Sequence, residues 1–84
     1  MEEQALGEVF DYYSKVGVIA LTLHFPLSVG DRIRIVGKQG TFEQTVDSMQ
    51  MEHKAVTKAK IGDDVGIKVL QPCKKGDAVF RLEE

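Results

Sequence analysis

Apolar and polar residues alternate along most of this chain, in short runs punctuated by glycine. Alternation places successive side chains on opposite faces of an extended backbone, so the runs read as half-buried strands. The clearest run is 17–25. There Ile19, Leu21, Leu23 and Phe25 share one face, while Val18, Ala20, Thr22 and His24 share the other. Pro26 ends it, because proline has no N–H to give to a ladder. Residues 31–36 set Ile33 and Ile35 inward against Arg32 and Arg34 outward, and residues 64–70 set Val65, Ile67 and Val69 on one face. Residues 77–82 form a last strand around Val79 and Phe80, and 54–60 form a short edge segment anchored by Val56. Lys38-Gln39-Gly40 is expected to be a hairpin turn, with Gly37 and Gly40 supplying positive φ.

Two segments do not follow simple alternation. In 41–51, Phe42, Gln44 and Val46 share a face, but Met49 and Met51 have the opposite parity. A bulge or kink near Asp47-Ser48 would return both methionines to the core. In 5–13, Leu6, Val9, Phe10 and Tyr13 also fit a helical face. Strand is the expectation there, because Gly7 weakens a helix by about 1 kcal/mol relative to alanine.

A Gly-Asp pair precedes three of the runs: Val29-Gly30-Asp31-Arg32-Ile33, Ile61-Gly62-Asp63-Asp64-Val65 and Lys75-Gly76-Asp77-Ala78-Val79. Glycine suits a positive-φ turn position, and aspartate can accept a hydrogen bond from a nearby backbone N–H.

The length, 84 residues, allows one domain, spanning 1–84. Short strands between regular turn signals predict an all-β fold, a small six- to seven-stranded closed or nearly closed barrel. With 43% hydrophobic and 29% charged residues the chain is expected to fold. No apolar run approaches the ~18 residues of a membrane span. The start, Met1-Glu2-Glu3-Gln4, is acidic and unlike a targeting peptide, so the cytoplasm is the expected location. The formal net charge of -2 sets this chain apart from strongly basic nonspecific nucleic-acid binders. Any nucleic-acid contact has to be local.

Recognisable catalytic spacing is absent. His24, His53 and Cys73 lack zinc-ligand spacing, so no metal or other cofactor is expected. Ser14, Ser28 and Ser48 lack a nucleophile elbow, and no phosphate-binding Gly-x-x-x-x-Gly-Lys-Ser/Thr occurs. Cys73 follows Pro72 and precedes Lys74 and Lys75, cations that would lower a thiol pKa if the side chain were exposed. Residues 1–31 contain one cation, Lys15; the other ten lie further along. Arg32, Arg34, His53, Lys54 and Lys58 are the candidate RNA- or partner-binding residues if they converge. Tyr12 and Tyr13 offer a face for stacking bases, although alternation places at least one in the core.

The ordered set from Gly7 to Phe80 resembles the second-domain β-barrel of elongation factor Tu and other translational GTPases. The resemblance rests on Gly7-Glu8-Val9, Leu27-Ser-Val-Gly-Asp31 before Arg32-Ile-Arg-Ile35, Phe42-Glu-Gln-Thr-Val46, Ser48-Met-Gln-Met51, His53-Lys54, Ala59-Lys-Ile-Gly-Asp-Asp-Val-Gly66 and Lys75-Gly76-Asp77. Similar barrels occur as accessory C-terminal regions of U32-type peptidase-like proteins that act in RNA modification. In elongation factor Tu an acidic residue on the strand before the second Gly-Asp turn helps hold the terminal adenosine of aminoacyl-tRNA. The aligned residue here is Gln50, and the family's Arg-Gly after the fifth strand is Leu70-Gln71. Those contacts are therefore not carried over.

The resemblance implies a non-enzymatic binding module that contacts tRNA, rRNA or a ribonucleoprotein through its basic loops. The alternative is a protein-interaction module for a separately encoded U32 peptidase-like, RNA-modifying enzyme. A protein partner requires an exposed apolar patch, with Met49, Met51 and Val18 as candidates.

Overall fold

The computed structural model describes residues 3–38 and 40–82. Among these residues it is all-β, with ten strands and no helix. Eight strands form one sheet in the order β5-β4-β10-β1-β2-β9-β6-β7, and β3 pairs with β8 in a separate two-stranded ladder. The strands are β1 (Glu3–Tyr13), β2 (Val18–Thr22), β3 (Leu27–Ser28), β4 (Arg32–Gly37) and β5 (Gly40–Thr45). They continue as β6 (Met49–Met51), β7 (Lys54–Val56), β8 (Lys58–Ala59), β9 (Asp64–Lys68) and β10 (Ala78–Leu82). The ladder ends at β5 and β7, so no closed barrel is found, and the strands exceed the six or seven expected. The excess arises because the segments 41–51 and 54–60 are each divided in two and because Leu27–Ser28 forms a further short strand.

β1 is the strand on which the sheet turns. Residues from Glu3 to Glu8 pair with β10, and residues from Val9 to Tyr13 pair with β2. The register shifts twice, between Ala5 and Gly7 and between Val9 and Asp11. Each shift adds a residue to β1, and a bulge redirects the side chains that follow it. Leu6 and Val9 are therefore both buried and Tyr12 packs against the core, whereas Phe10 turns outward. Of the four residues that fit a helical face, Leu6 and Val9 are buried whereas Phe10 and Tyr13 are each 49% exposed, so the strand reading holds. Gly7 is also required sterically: at φ +142 its backbone passes so close to β2 that a Cβ would lie 2.6 Å from the Thr22 carbonyl oxygen.

The interior matches the alternation elsewhere. Ile19, Leu21, Leu23, Ile33, Ile35, Val65, Ile67, Val69 and Val79 are buried in one cluster. Met49 joins that cluster and Met51 packs against it. The parity change occurs at a break rather than a bulge. Residues 46–48 leave β5, and β6 then pairs with β9 on the far side of the sheet. Gly37 differs from expectation, since Gly40 takes positive φ and Gly37 does not. Gly37 instead accommodates a neighbour, because a Cβ there would lie 2.7 Å from Asp77 Oδ1. The hairpin pairs Gly37 with Gly40; Gln39 of the expected turn lies outside the described residues.

The three Gly-Asp pairs form the same structure three times. Gly30, Gly62 and Gly76 have φ of 99, 92 and 92. Each lies third in a four-residue turn closed by an N–H of the aspartate: Asp31 to the Ser28 carbonyl, Asp63 to Lys60 and Asp77 to Lys74. The aspartate Oδ2 accepts back from the backbone N–H of that same first residue, at 2.9 Å in all three. Each turn also grips one buried residue. The glycine N–H donates to its carbonyl, and the aspartate carbonyl accepts its N–H. The gripped residues are Val46, Leu23 and Val9, in the order of the turns. Three local motifs thus hold the core from three points on the chain.

Candidate functional site: an apolar outer groove

The outer face of β1, β2, β9 and β6 carries a groove of about 510 Å³. Its floor is low because small residues are opposed across the strands: Ala20 pairs with Gly66, and Gly66 pairs with Gln50. A Cβ on Gly66 would meet Val18 Cγ1 at 3.1 Å, closer than an ordinary van der Waals contact. One wall is Phe10, Tyr13 and Val16, which are 49%, 49% and 54% exposed. The bulge in β1 presents Phe10, and the turn between β1 and β2 presents Val16. The other wall is the tip of the β6–β7 hairpin, Glu52-His53. Both tip residues are left-handed, with φ of 50 and 66, as a two-residue hairpin turn of this hand demands. Non-glycine residues occupy that region at a cost, and such positions cluster where side chains are used.

Asp64 adds a second carboxylate to the rim, and its Oδ1 accepts the Thr22 hydroxyl at 2.6 Å. At the opposite end Lys68 Nζ donates to the Val16 carbonyl at 2.6 Å. Phe10 also borders a second groove of about 560 Å³ that contains Glu8, His24 and Phe80.

The basic candidates are distributed over several elements. Arg32 and Arg34 project from β4 beside Glu43 of β5, which closes one edge of the sheet. Arg34 Nε and Nη2 donate to Glu43 Oε2 at 3.1 and 2.9 Å, Arg32 Nε lies 3.5 Å from Glu43 Oε1, and Arg34 also pairs with Glu3. The Arg34 hydrogen bond, supported by Arg32, holds the Glu43 carboxyl below its ordinary range. His53 stands at the hairpin tip, Lys54 opens β7 at the other edge of the sheet, and Lys58 lies in β8 opposite Ser28. Of the five, His53 alone is among the residues lining the groove.

The remaining candidates divide clearly. Cys73 is 4% exposed, and its Sγ donates to the Gln71 carbonyl at 3.5 Å. Burial, with the Asp77 charge adding to it, pushes the thiol up to about 11. Lys74 and Lys75, its sequence neighbours, do not activate it, and the loop cysteine is a core residue. His24 and His53 line different grooves, apart from that thiol. Tyr12 packs on the core while Tyr13 lines the groove. Of the apolar candidates, Val18 is in the groove but Met49 is interior. Sequence reasoning missed Phe10, Val16, Ala20 and Gly66 as a surface. The available signal was Phe10 itself, an aromatic residue out of step with strand alternation.

No protein-family model matches the chain. Over 80 residues it is 42% identical to an uncharacterized protease of Methanocaldococcus jannaschii, a match covering 94% of this chain. The chain spans about a fifth of the length of that relative, 20%. Among solved structures it is similar to the C-terminal domain of a U32 peptidase-like protein of Geobacillus thermoleovorans. One crystal structure of that domain superimposes with a TM-score of 0.85 at 20% identity, covering 96% of this chain and 93% of that one. Its selenomethionine variant superimposes with a TM-score of 0.82, also at 20% identity, covering 94% and 98%. These likenesses establish the fold and support the U32-related part of the resemblance. They do not support the elongation factor Tu part.

Proposed function

We propose that the chain is a non-catalytic accessory module of the U32 peptidase type, and that it serves a U32 peptidase-like enzyme by docking protein through the groove beside Phe10. The observation that carries this reading is the match itself: nearly the whole chain corresponds to a minor part of a much longer protease-named relative. A fold that recurs as the C-terminal domain of such a protein supports it. The outer groove supplies what docking needs. Phe10, Tyr13 and Val16 are large apolar side chains left exposed together, and exposed apolar patches mark interaction sites. The interior is filled by packed aliphatic side chains, which suits a scaffold that presents a surface. The finer description of the sheet as a barrel belongs to the same proposal: β1 turns from one half of the sheet to the other, and Gln44 of edge strand β5 bonds to Lys68 and Leu70 at the end of β9.

The test is co-expression with a U32 peptidase-like protein of the same organism, followed by size-exclusion chromatography. A stable complex is expected, and Phe10→Ser is expected to dissolve it while leaving the thermal melt unchanged. Separate elution of the two proteins at micromolar concentrations would overturn the proposal.

A further inference from the structure

The two grooves that meet at Phe10 share an electrostatic character that narrows what can occupy them. Among their described lining residues are three carboxylates, Glu8, Glu52 and Asp64, and no lysine or arginine. Aromatic faces accompany them, from Phe10 and Tyr13 on one side and Phe80 on the other. Lys68, the cation at the margin, is engaged with the Val16 carbonyl. Carboxylates beside exposed aromatic rings suit a cationic side chain with an apolar stem, through ion pairing and cation–π attraction. The same carboxylates repel a phosphate backbone.

We infer that the occupant is a protein segment in which lysine or arginine alternates with apolar side chains, its apolar groups lying over Ala20 and Gly66 and its cations meeting Glu52, Asp64 and Glu8. The inference rests on the accessory-module reading and specifies the chemistry of its partner. The charge distribution elsewhere agrees with it. Arg32 and Arg34, two of the five residues expected to bind RNA or a partner, lie on β4 and are matched by Glu43 and Glu3.

The experiment is an amide-resolved NMR titration of the labelled chain at near-physiological salt, with three probes. One is a short capped peptide alternating lysine and leucine, the second its glutamate counterpart, and the third a short oligouridylate. The lysine peptide is expected to shift the amides of Phe10, Ala20, His53 and Gly66, and the other two to leave them in place. The double variant Glu8→Lys, Glu52→Lys alters exposed positions and is expected to weaken the lysine peptide about tenfold or more without changing the melt. No shift with the lysine peptide, an equal response to the glutamate peptide, an oligouridylate response at these amides, or unchanged affinity in the double variant would each overturn the inference. A complex with the U32 peptidase-like protein that persists alongside any of these results would leave the accessory role standing and remove only its basic-segment partner.

Discussion

Gln44 and Leu70 are joined across the molecule: the Gln44 Oε1 accepts the Leu70 N–H at 2.8 Å, while Nε2 donates to the Lys68 carbonyl at 2.8 Å. Gln44 lies on β5, at one edge of the sheet, and Lys68 ends β9, five strands away in the sheet order. A buried amide side chain thus links backbone groups that no ladder reaches. Gln44→Leu keeps the size and removes both bonds, leaving the Leu70 N–H and the Lys68 carbonyl without this partner. A loss of about 1–3 kcal/mol is expected from urea unfolding. A change within about 0.5 kcal/mol would show that water replaces the amide at no cost.

The Gly-Asp turns make a prediction that separates conformation from crowding. A Cβ at Gly30 would meet nothing within 4 Å, yet its φ is 99. Gly30→Val is therefore expected to destabilise by more than about 1 kcal/mol through backbone strain alone. Gly30→Asn should cost less, since asparagine tolerates the left-handed region better. Equal losses in the two variants would point to a packing defect instead. Thermal melts of both variants decide between the two.

Cys73 links stability to alkaline pH. Its thiol is held up to about 11 in the fold, against an ordinary value of 9.0 when unfolded. Because folding favours the protonated form, this contribution is complete below pH 9.0 and is lost as pH rises towards 11. The shift corresponds to an effect on the order of 2 kcal/mol. Urea titrations across that window should show a steeper decline for the native chain than for Cys73→Ala. Matching slopes would mean that the thiolate forms without unfolding. Disulfide reagents should label the native protein only as fast as it opens.

The hairpin tip should trade stability for binding. Replacing Glu52-His53 with Asn-Gly supplies residues suited to the two left-handed positions and should stabilise the fold by about 1 kcal/mol. The same replacement removes a carboxylate and an imidazole from the groove wall, so the lysine peptide should bind more weakly. A stabilised variant with undiminished peptide binding would show that the tip is only a turn.

Much of the fold follows from local chemistry. The alternation in 17–25, 31–36 and 64–70 marks inward residues correctly because strand geometry is set by neighbouring peptide units. The three Gly-Asp turns are equally local, since glycine supplies the required φ and aspartate bonds three residues back. What tertiary structure decided involves distant segments. The bulges in β1 exist because that strand pairs with β10 along one half and β2 along the other, and they turn Phe10 outward. The break at 46–48 exists because the chain must cross from the β4 edge to β9. Cys73 reads as an exposed loop thiol until packing buries it. Arg32 and Arg34 read as available cations until Glu43 and Glu3 are brought beside them. The groove depends on the opposition of Ala20, Gly66 and Gln50 across three strands, a register that pairing sets and that no local run of residues contains.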